Sequence, residues 1–278
     1  MGINKSYNFN DRGVPEIQRL KWQMLLSINK EIHLLKSLGV PDNASIYEPG
    51  MGPGMVTRVL LHEFDQSEIT SVELDTNFID IAEHQLNDDE KIRVDIHQGS
   101  VIDSGLSSDT YDLCIVRYLF QHLSASDIEM ALKDIYRVLK PNGLICVIDV
   151  DDDFMRTSPI TKEFQYFDFP ATWNMFAKLA KFEGEMGGSR YRMKYMPRIL
   201  KKAGFRDIDI DTLTIHSDLI PKRVLREALN PILFAPLVKG GIATELELQQ
   251  FRDEWNNFWD DPEHLVMIFE LFACYGVK

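Results

Sequence analysis

Three cysteines in 278 residues, Cys114, Cys146 and Cys274, are too few and too scattered for a disulfide framework. Each sits inside an apolar stretch and none forms a C-x-x-C pair, so they read as small buried hydrophobes rather than metal ligands. Long apolar runs are missing too. No segment approaches the roughly 18 apolar residues of a membrane span, and the opening "MGINKSYNFNDRG" lacks the apolar core of a signal peptide. The expectation is a cytoplasmic protein without membrane insertion. Positive charge is scarce: 30 Lys and Arg face 43 Asp and Glu, a formal net charge of −13 spread along the chain. Such a field disfavours nucleic acid, and no nucleic-acid partner is expected. A hydrophobic content of 45% predicts a sizeable core. Composition leaves the oligomeric state open.

What the chain does have is a repeating pattern. Residues 15 to 38 place Ile17, Leu20, Met24, Ile28, Ile32 and Leu35 at helical spacing, with Pro15 suited to the first turn and "GVP" at 39 to 41 to stop it. A strand follows near 44 to 48, a helix over about 54 to 64, a second strand in "EITSVEL", a helix in "TNFIDIAEHQL" and a third strand in "KIRVDIHQ". "TYDLCIVRYLF" is apolar almost throughout, as expected for a strand covered on both faces. "SASDIEMALKDIYRVLK" reads as a helix with Ser126 and Glu129 in capping-box spacing, "PNG" ends it, and "LICVIDV" makes a fifth strand. Alternation over about 110 residues implies right-handed crossovers and a parallel sheet.

The second half is less regular. Residues 151 to 190 are rich in aromatics, including Phe154, Phe164, Tyr166, Phe167, Phe169, Trp173 and Phe176, which suit a pocket wall and a core equally. "YMPRILKKAGF" looks like a helix ended by Gly204, "RDIDIDTLTI" like a half-exposed strand, 220 to 258 like two helices around "KGG", and "HLVMIFELFACYG" like a final buried strand.

The densest signal is "SIYEPGMGPGMVTRVLLHEF", residues 45 to 64. A turn alone needs one glycine; Gly50, Gly52 and Gly54 alternate behind Glu48, which implies close approach by a ligand. The dinucleotide pattern G-x-G-x-x-G fails, because Met55 stands where its third glycine belongs. A carboxylate at a strand end would also repel a pyrophosphate, whereas it suits an ammonium or hydroxyl groups.

"EPGMGPG" resembles the first motif of the class I S-adenosylmethionine (SAM)-dependent methyltransferases, an acid followed by G-x-G-x-G. The resemblance implies that the loop wraps the methionine part and ribose of SAM, with Glu48 holding the amino end. "TSVELD" is similar to the second motif, whose acid receives the two ribose hydroxyls; Glu73 fits best, flanked by Leu74, with Asp75 the rival and more naturally the N-cap of the next helix. "HQGSVID" falls where the family holds the adenine edge, with Ser100 in place of the common aspartate, Asp103 as its alternative and Val101 offering a backbone NH and an apolar contact. "YDLCIVRYLFQHL" resembles the fourth motif, with Asp112 opening the strand and Arg117 and Tyr118 beside the sulfonium, and "RVLKPNG" resembles a structural signature before the fifth strand.

The ends look like those of small-molecule methyltransferases related to the ubiquinone and menaquinone C-methylases. In such relatives a polar residue on the N-terminal helix reaches the SAM carboxylate, here Gln23, with Arg19 one turn earlier. The resemblance implies one domain with a Rossmann-like, doubly wound, seven-stranded, mostly parallel sheet and helices on both faces. Its core would span about 40–150, 193–213 and 263–278, with cap elements at about 1–24, 151–192 and 214–262.

Those covers imply a small-molecule methyl acceptor, apolar or aromatic, methylated at oxygen in preference to nitrogen or carbon, with S-adenosylhomocysteine (SAH) as product. His122, just after the fourth strand, is the candidate general base, or else a loop histidine ordering the cofactor pocket. Tyr7, Arg117, Tyr118 and Asp151 are candidates for positioning the acceptor. The acids Asp149, Asp151, Asp152 and Asp153 read as a solvated loop in preference to a metal site, and no metal is expected. The alternatives are an enzyme of this fold doing non-methyl chemistry with SAM, and a non-catalytic SAM-binding or partner-binding module.

Overall fold

A computed structural model describes residues 13–154, 156–159, 170–260 and 265–278. The first helix, α1 (Val14–Ser37), has Pro15 in its first turn and buries Met24, Ile28, Ile32 and Leu35 along one face. Strand β1 (Ser45–Pro49) leads through the glycine turn into α2 (Met55–Glu63), then β2 (Glu68–Glu73), α3 (Thr76–Gln85), the one-turn α4 (Asp88–Lys91) and β3 (Val94–Gln98). Strand β4 (Tyr111–Arg117), a 3-10 turn at Phe120–His122, α5 (Ala125–Val138) and β5 (Leu139–Val150) complete the alternating half.

These strands form one sheet in the order β3-β2-β1-β4-β5, all parallel. The final strand β8 (Leu265–Val277) lies antiparallel against β5, and β7 (Arg206–His216) antiparallel against β8. The seven expected strands are therefore present. A short eighth, β6 (Arg156–Pro159), pairs with the start of β8 beyond the point where β5 ends.

Alternation along the central strands explains the two-sided burial. Leu113 and Ile115 enter one core with α1 and α2; Cys114 and Val116 enter the other with α5 and α7 (Met196–Lys202). All three cysteines are buried as free thiols. In "PNG", Asn142 has φ 67°, a left-handed conformation that asparagine tolerates better than most side chains, while Gly143 fits because a Cβ would lie 2.9 Å from the Lys140 carbonyl oxygen.

Two expectations are corrected. The N-cap of α5 is Ser124, not Ser126: its hydroxyl oxygen accepts from the Asp127 amide at 3.1 Å and donates to the Asp127 carboxylate at 2.7 Å, so the helix starts earlier than a Ser126–Glu129 box requires. The segment 220–258 holds three helices rather than two, α8 (Lys222–Ala228), α9 (Ala235–Lys239) and α10 (Glu245–Asp260), because Pro221, Pro231 and Pro236 each restart the backbone. With α6 (Pro170–Glu185) they bury a run of rings in which Phe176, Phe234, Phe251 and Trp255 touch in succession at 4.7–5.8 Å. Phe176 is thus core, and Trp173 packs against the same core. Phe164, Tyr166, Phe167 and Phe169, as well as Tyr7, lie outside the described residues. Among the described residues no helix is long and apolar enough to cross a membrane.

Candidate functional site

At the C-terminal ends of β1, β2, β4 and β5 a cavity of about 370 Å³ opens between the sheet, α1 and the cap helices. Parallel sheets bind ligands at this edge, where the loops diverge. The glycine turn forms one wall. Gly50, Gly52 and Gly54 all have positive φ, at 70°, 56° and 77°. Their surroundings differ: a Cβ on Gly54 would lie 2.9 Å from the Ala82 Cβ, whereas a Cβ on Gly52 would meet nothing within 4 Å. Gly54 is therefore needed for helix packing and Gly52 for open space above the turn.

Glu48 ends β1 inside this wall, 4% exposed. Its Oε2 accepts from the hydroxyls of Thr57 at 2.6 Å and Ser71 at 3.4 Å. Burial outweighs these bonds and the more distant charge of Arg117, and pushes its pKa up to about 7. Glu73 ends β2 and is also buried. It accepts three backbone amides, from Gly52 at 2.9 Å, Leu74 at 2.8 Å and Asp75 at 2.9 Å, so it ties the glycine turn to the end of β2. Burial nevertheless raises its pKa. Asp75 is the N-cap of α3, accepting from the Asn77 amide at 2.9 Å. Leu74, Gly99, Ser100, Val101 and Ile102 continue the cavity wall; Asp103 is not part of it and instead closes a small bridge with Ser100.

The opposite wall comes from α1 and the end of β4. Arg117 is held through its Nε by both oxygens of the buried Glu31, at 2.8 and 3.1 Å, and Ser27 donates to the same carboxylate. Burial works against the guanidinium charge, but Glu31, Tyr118 and Glu48 together outweigh it and raise its pKa. Tyr118 follows with φ 50°, an uncommon conformation for a bulky residue, its ring under the Arg117 guanidinium at 4.6 Å. Gln23 accepts from Arg19 at 3.3 Å. Arg19 is itself paired with Glu16 and donates to the Ala228 carbonyl of α8, which fastens α1 to the cap.

His122 lies in the cavity wall on the 3-10 turn after β4, its Nδ1 3.9 Å from Oε1 of Glu183 on α6. Arg190 stands 3.9 Å from the same oxygen, forms a bidentate pair with Asp152 at 2.6 and 3.0 Å, and donates to the Gln121 side chain. The acidic run is engaged by the protein. Asp149 accepts the Gln121 and Val150 amides, its pKa pushed up to about 7 chiefly by burial, while Asp151 and Asp153 both face Lys194. Among the described residues no group of three His, Cys, Asp or Glu side chains is arranged to hold a metal ion.

Every residue selected from the sequence for the cofactor, apart from Gly54 behind the turn, thus lines one cavity with His122. Glu31, Thr57, Ser71, Glu183 and Arg190 were not selected. Thr57 stands nine residues past Glu48, a spacing that could have pointed to it. Glu183 and Arg190 reach the site only through the packing of α6 and the segment after it.

The family model described as a methyltransferase domain matches residues 47–147. Over 99 residues the chain is 30% identical to malonyl-[acyl-carrier protein] O-methyltransferase of Priestia megaterium, an alignment that spans 36% of this chain and 34% of that protein. Over 188 residues it is 24% identical to carboxy-S-adenosyl-L-methionine synthase of Staphylococcus epidermidis, spanning 65% and 80%. In structure it resembles Haemonchus contortus phosphoethanolamine N-methyltransferase 2, solved with phosphomonomethylethanolamine and SAH, with TM-score 0.62 and 17% identity, covering 99% of this chain and 61% of that one. At that identity the likeness concerns the fold.

The contrast between the two glycines is testable. Gly54→Ala should lower thermal stability, because its Cβ meets Ala82. Gly52→Ala meets open space, so beyond the cost of positive φ, about 1 kcal/mol, its effect should fall on ligand affinity. Thermal unfolding and calorimetric binding would separate the two; equal losses of stability would contradict the assignment.

Proposed function

We propose that this chain, whose residues 47–147 match a methyltransferase domain, is a class I SAM-dependent enzyme that transfers the methyl group of SAM to a small molecule, at oxygen in preference to nitrogen or carbon. The observation that carries this reading is the single cavity joining the glycine turn and its two buried carboxylates to His122 and the cap.

The residues present fit SAM. Glu48 is a buried carboxylate whose nearest cation, Arg117, is already paired with Glu31, so a ligand ammonium would satisfy it. Glu73 spends Oε1 on the Leu74 and Asp75 amides and part of Oε2 on the Gly52 amide, so Oε2 keeps acceptor capacity for a ligand hydroxyl, and Gly52 leaves space where the ligand must approach the backbone. Gln23 and Arg117 would face the methionine carboxylate, and Ser100 and Val101 the adenine. SAM supplies an electrophilic methyl on a sulfonium; the chain has to orient a nucleophile in line with it and exclude water. His122 would take the acceptor's proton, with Glu183 beside its Nδ1 to stabilise the imidazolium that results.

A second reading, non-methyl chemistry with SAM, draws support from the similarity to the carboxy-S-adenosyl-L-methionine synthase. Release of SAH from SAM and an acceptor, with a methylated product by mass spectrometry, decides between the two. An altered SAM without SAH favours the second.

Two outcomes are expected. His122→Ala should keep SAH affinity and lose about 10²-fold or more in turnover; unchanged turnover removes it as base. Affinity for SAM should depend on the Glu48 carboxylate. In the empty protein that group is half protonated near pH 7. A bound ammonium favours the ionised form, so binding is at full strength above pH 7 and weakens as pH falls below it, by up to about tenfold per unit. Calorimetry at pH 7 should also detect proton release, and a flat pH profile from 5.5 to 7.5 would remove Glu48 from the ammonium site.

A further inference from the structure

The cavity's arginines are committed to the protein. Arg19 is held by Glu16 at 2.7 and 2.8 Å, Arg117 by Glu31 at 2.8 and 3.1 Å and Arg190 by Asp152 at 2.6 and 3.0 Å, with further donors spent on Ala228, Ser27 and Gln121. No lysine lines the cavity among the described residues, and eight carboxylates do. The one carboxylate that SAM itself brings has Gln23 and Arg117 to face. A second anionic group, on the acceptor, would enter a wall that already carries an excess of negative charge.

Glu270 stands out in that wall. It lies on β8 directly after the buried Phe269, is itself half-buried, and takes part in no hydrogen bond or ion pair of its side chain among the described residues. The pairing of Leu271 with Val150 sets this part of β8 beside the C-terminal end of β5, next to the cap. Val150, Leu229, Leu233 and Phe269 supply apolar surface in the same cavity. A half-buried carboxylate without a cation leaves acceptor positions that a ligand's ammonium can fill.

We infer that Glu270 reads a positive charge on the acceptor: the methyl acceptor is an amine-bearing small molecule, with its ammonium at Glu270 and its apolar part against Val150, Leu229, Leu233 and Phe269. The inference rests on the methyl-transfer reading, because it assigns the space beyond the cofactor cradle to an acceptor. The carboxylates of the wall also offset the repulsion between such a cation and the sulfonium.

The test uses protein saturated with SAH and three probes that share a ring and differ in charge: 2-phenylethylammonium, 2-phenylethanol and phenylacetate. Dissociation constants come from NMR titration. The cation should bind about tenfold or more tighter than the anion, as for one charged hydrogen bond. In Glu270→Gln the affinity for the cation should fall about tenfold, as for one charged hydrogen bond lost, while SAH affinity and the weak binding of phenylethanol stay unchanged. Equal or tighter binding of phenylacetate, a cation affinity unchanged in Glu270→Gln, or failure of all three probes to bind the SAH-loaded protein would overturn the assignment of Glu270 and leave the cofactor reading standing. Failure of SAH itself to bind would strike the methyl-transfer reading, and this inference with it.

Discussion

A carboxylate buried at the end of the first strand, held by two hydroxyls and paired with no cation among the described residues, is the constraint around which this molecule is arranged. Glu48 gains bonds from Thr57 and Ser71, yet burial still dominates and moves its pKa toward neutrality. A carboxylate in that state costs the fold stability at neutral pH whenever it ionises. Its retention beside an open glycine turn makes sense if a ligand completes it. Thr57 comes from α2 and Ser71 from β2, so the same carboxylate joins the three elements that shape the cradle.

The other polar contacts serve to present that cradle to a closed space. Glu73 takes the Gly52 amide and fixes the turn to the second strand. Glu31 and Ser27 on α1 hold Arg117 at the end of β4, and Arg19 on the same helix reaches α8. On the far side, the segment following α6 clamps the loop after β4: Arg192 donates to the carbonyls of Phe120 and Leu123, and the Ser189 amide to that of Gln121. The loop bearing His122 is thus fixed by the cap rather than by the sheet alone. This links the position of the candidate base to the packing of the cap, and through it to whatever fills the acceptor end.

The alternating half of the fold was legible because burial there is periodic. Two-sided strands read as apolar runs, one-sided helices as three- and four-residue spacing, and the glycine turn as a pattern that a simple bend does not require. Glu73 and Asp75 were correctly separated, the one ending a strand and the other capping a helix. The cap was less legible. Prolines divided 220–258 into more helices than its composition suggested, and Trp173 and Phe176, which suited a pocket wall as well as a core, joined the core. Side chains that meet across long chain separations left no local trace: Glu31 meets Arg117 and Glu183 approaches His122 only once the sheet and cap have packed. The acidic run at 149–153 illustrates the same limit. Its residues read as a solvated loop, but Asp149 and Asp151 are buried and bonded. The similarity to known proteins covers a methyltransferase domain over residues 47–147 and does not reach the C-methylase-like group that the chain ends suggested.

The most direct test of this account is a calorimetric titration of the purified protein with SAM and with SAH. Binding of both at micromolar concentrations, lost or greatly weakened in Glu48→Ala, is the result the account predicts. Binding that survives in Glu48→Ala undiminished, or no binding of either ligand by the folded protein, would contradict the claim that this buried carboxylate and its glycine turn exist to receive SAM.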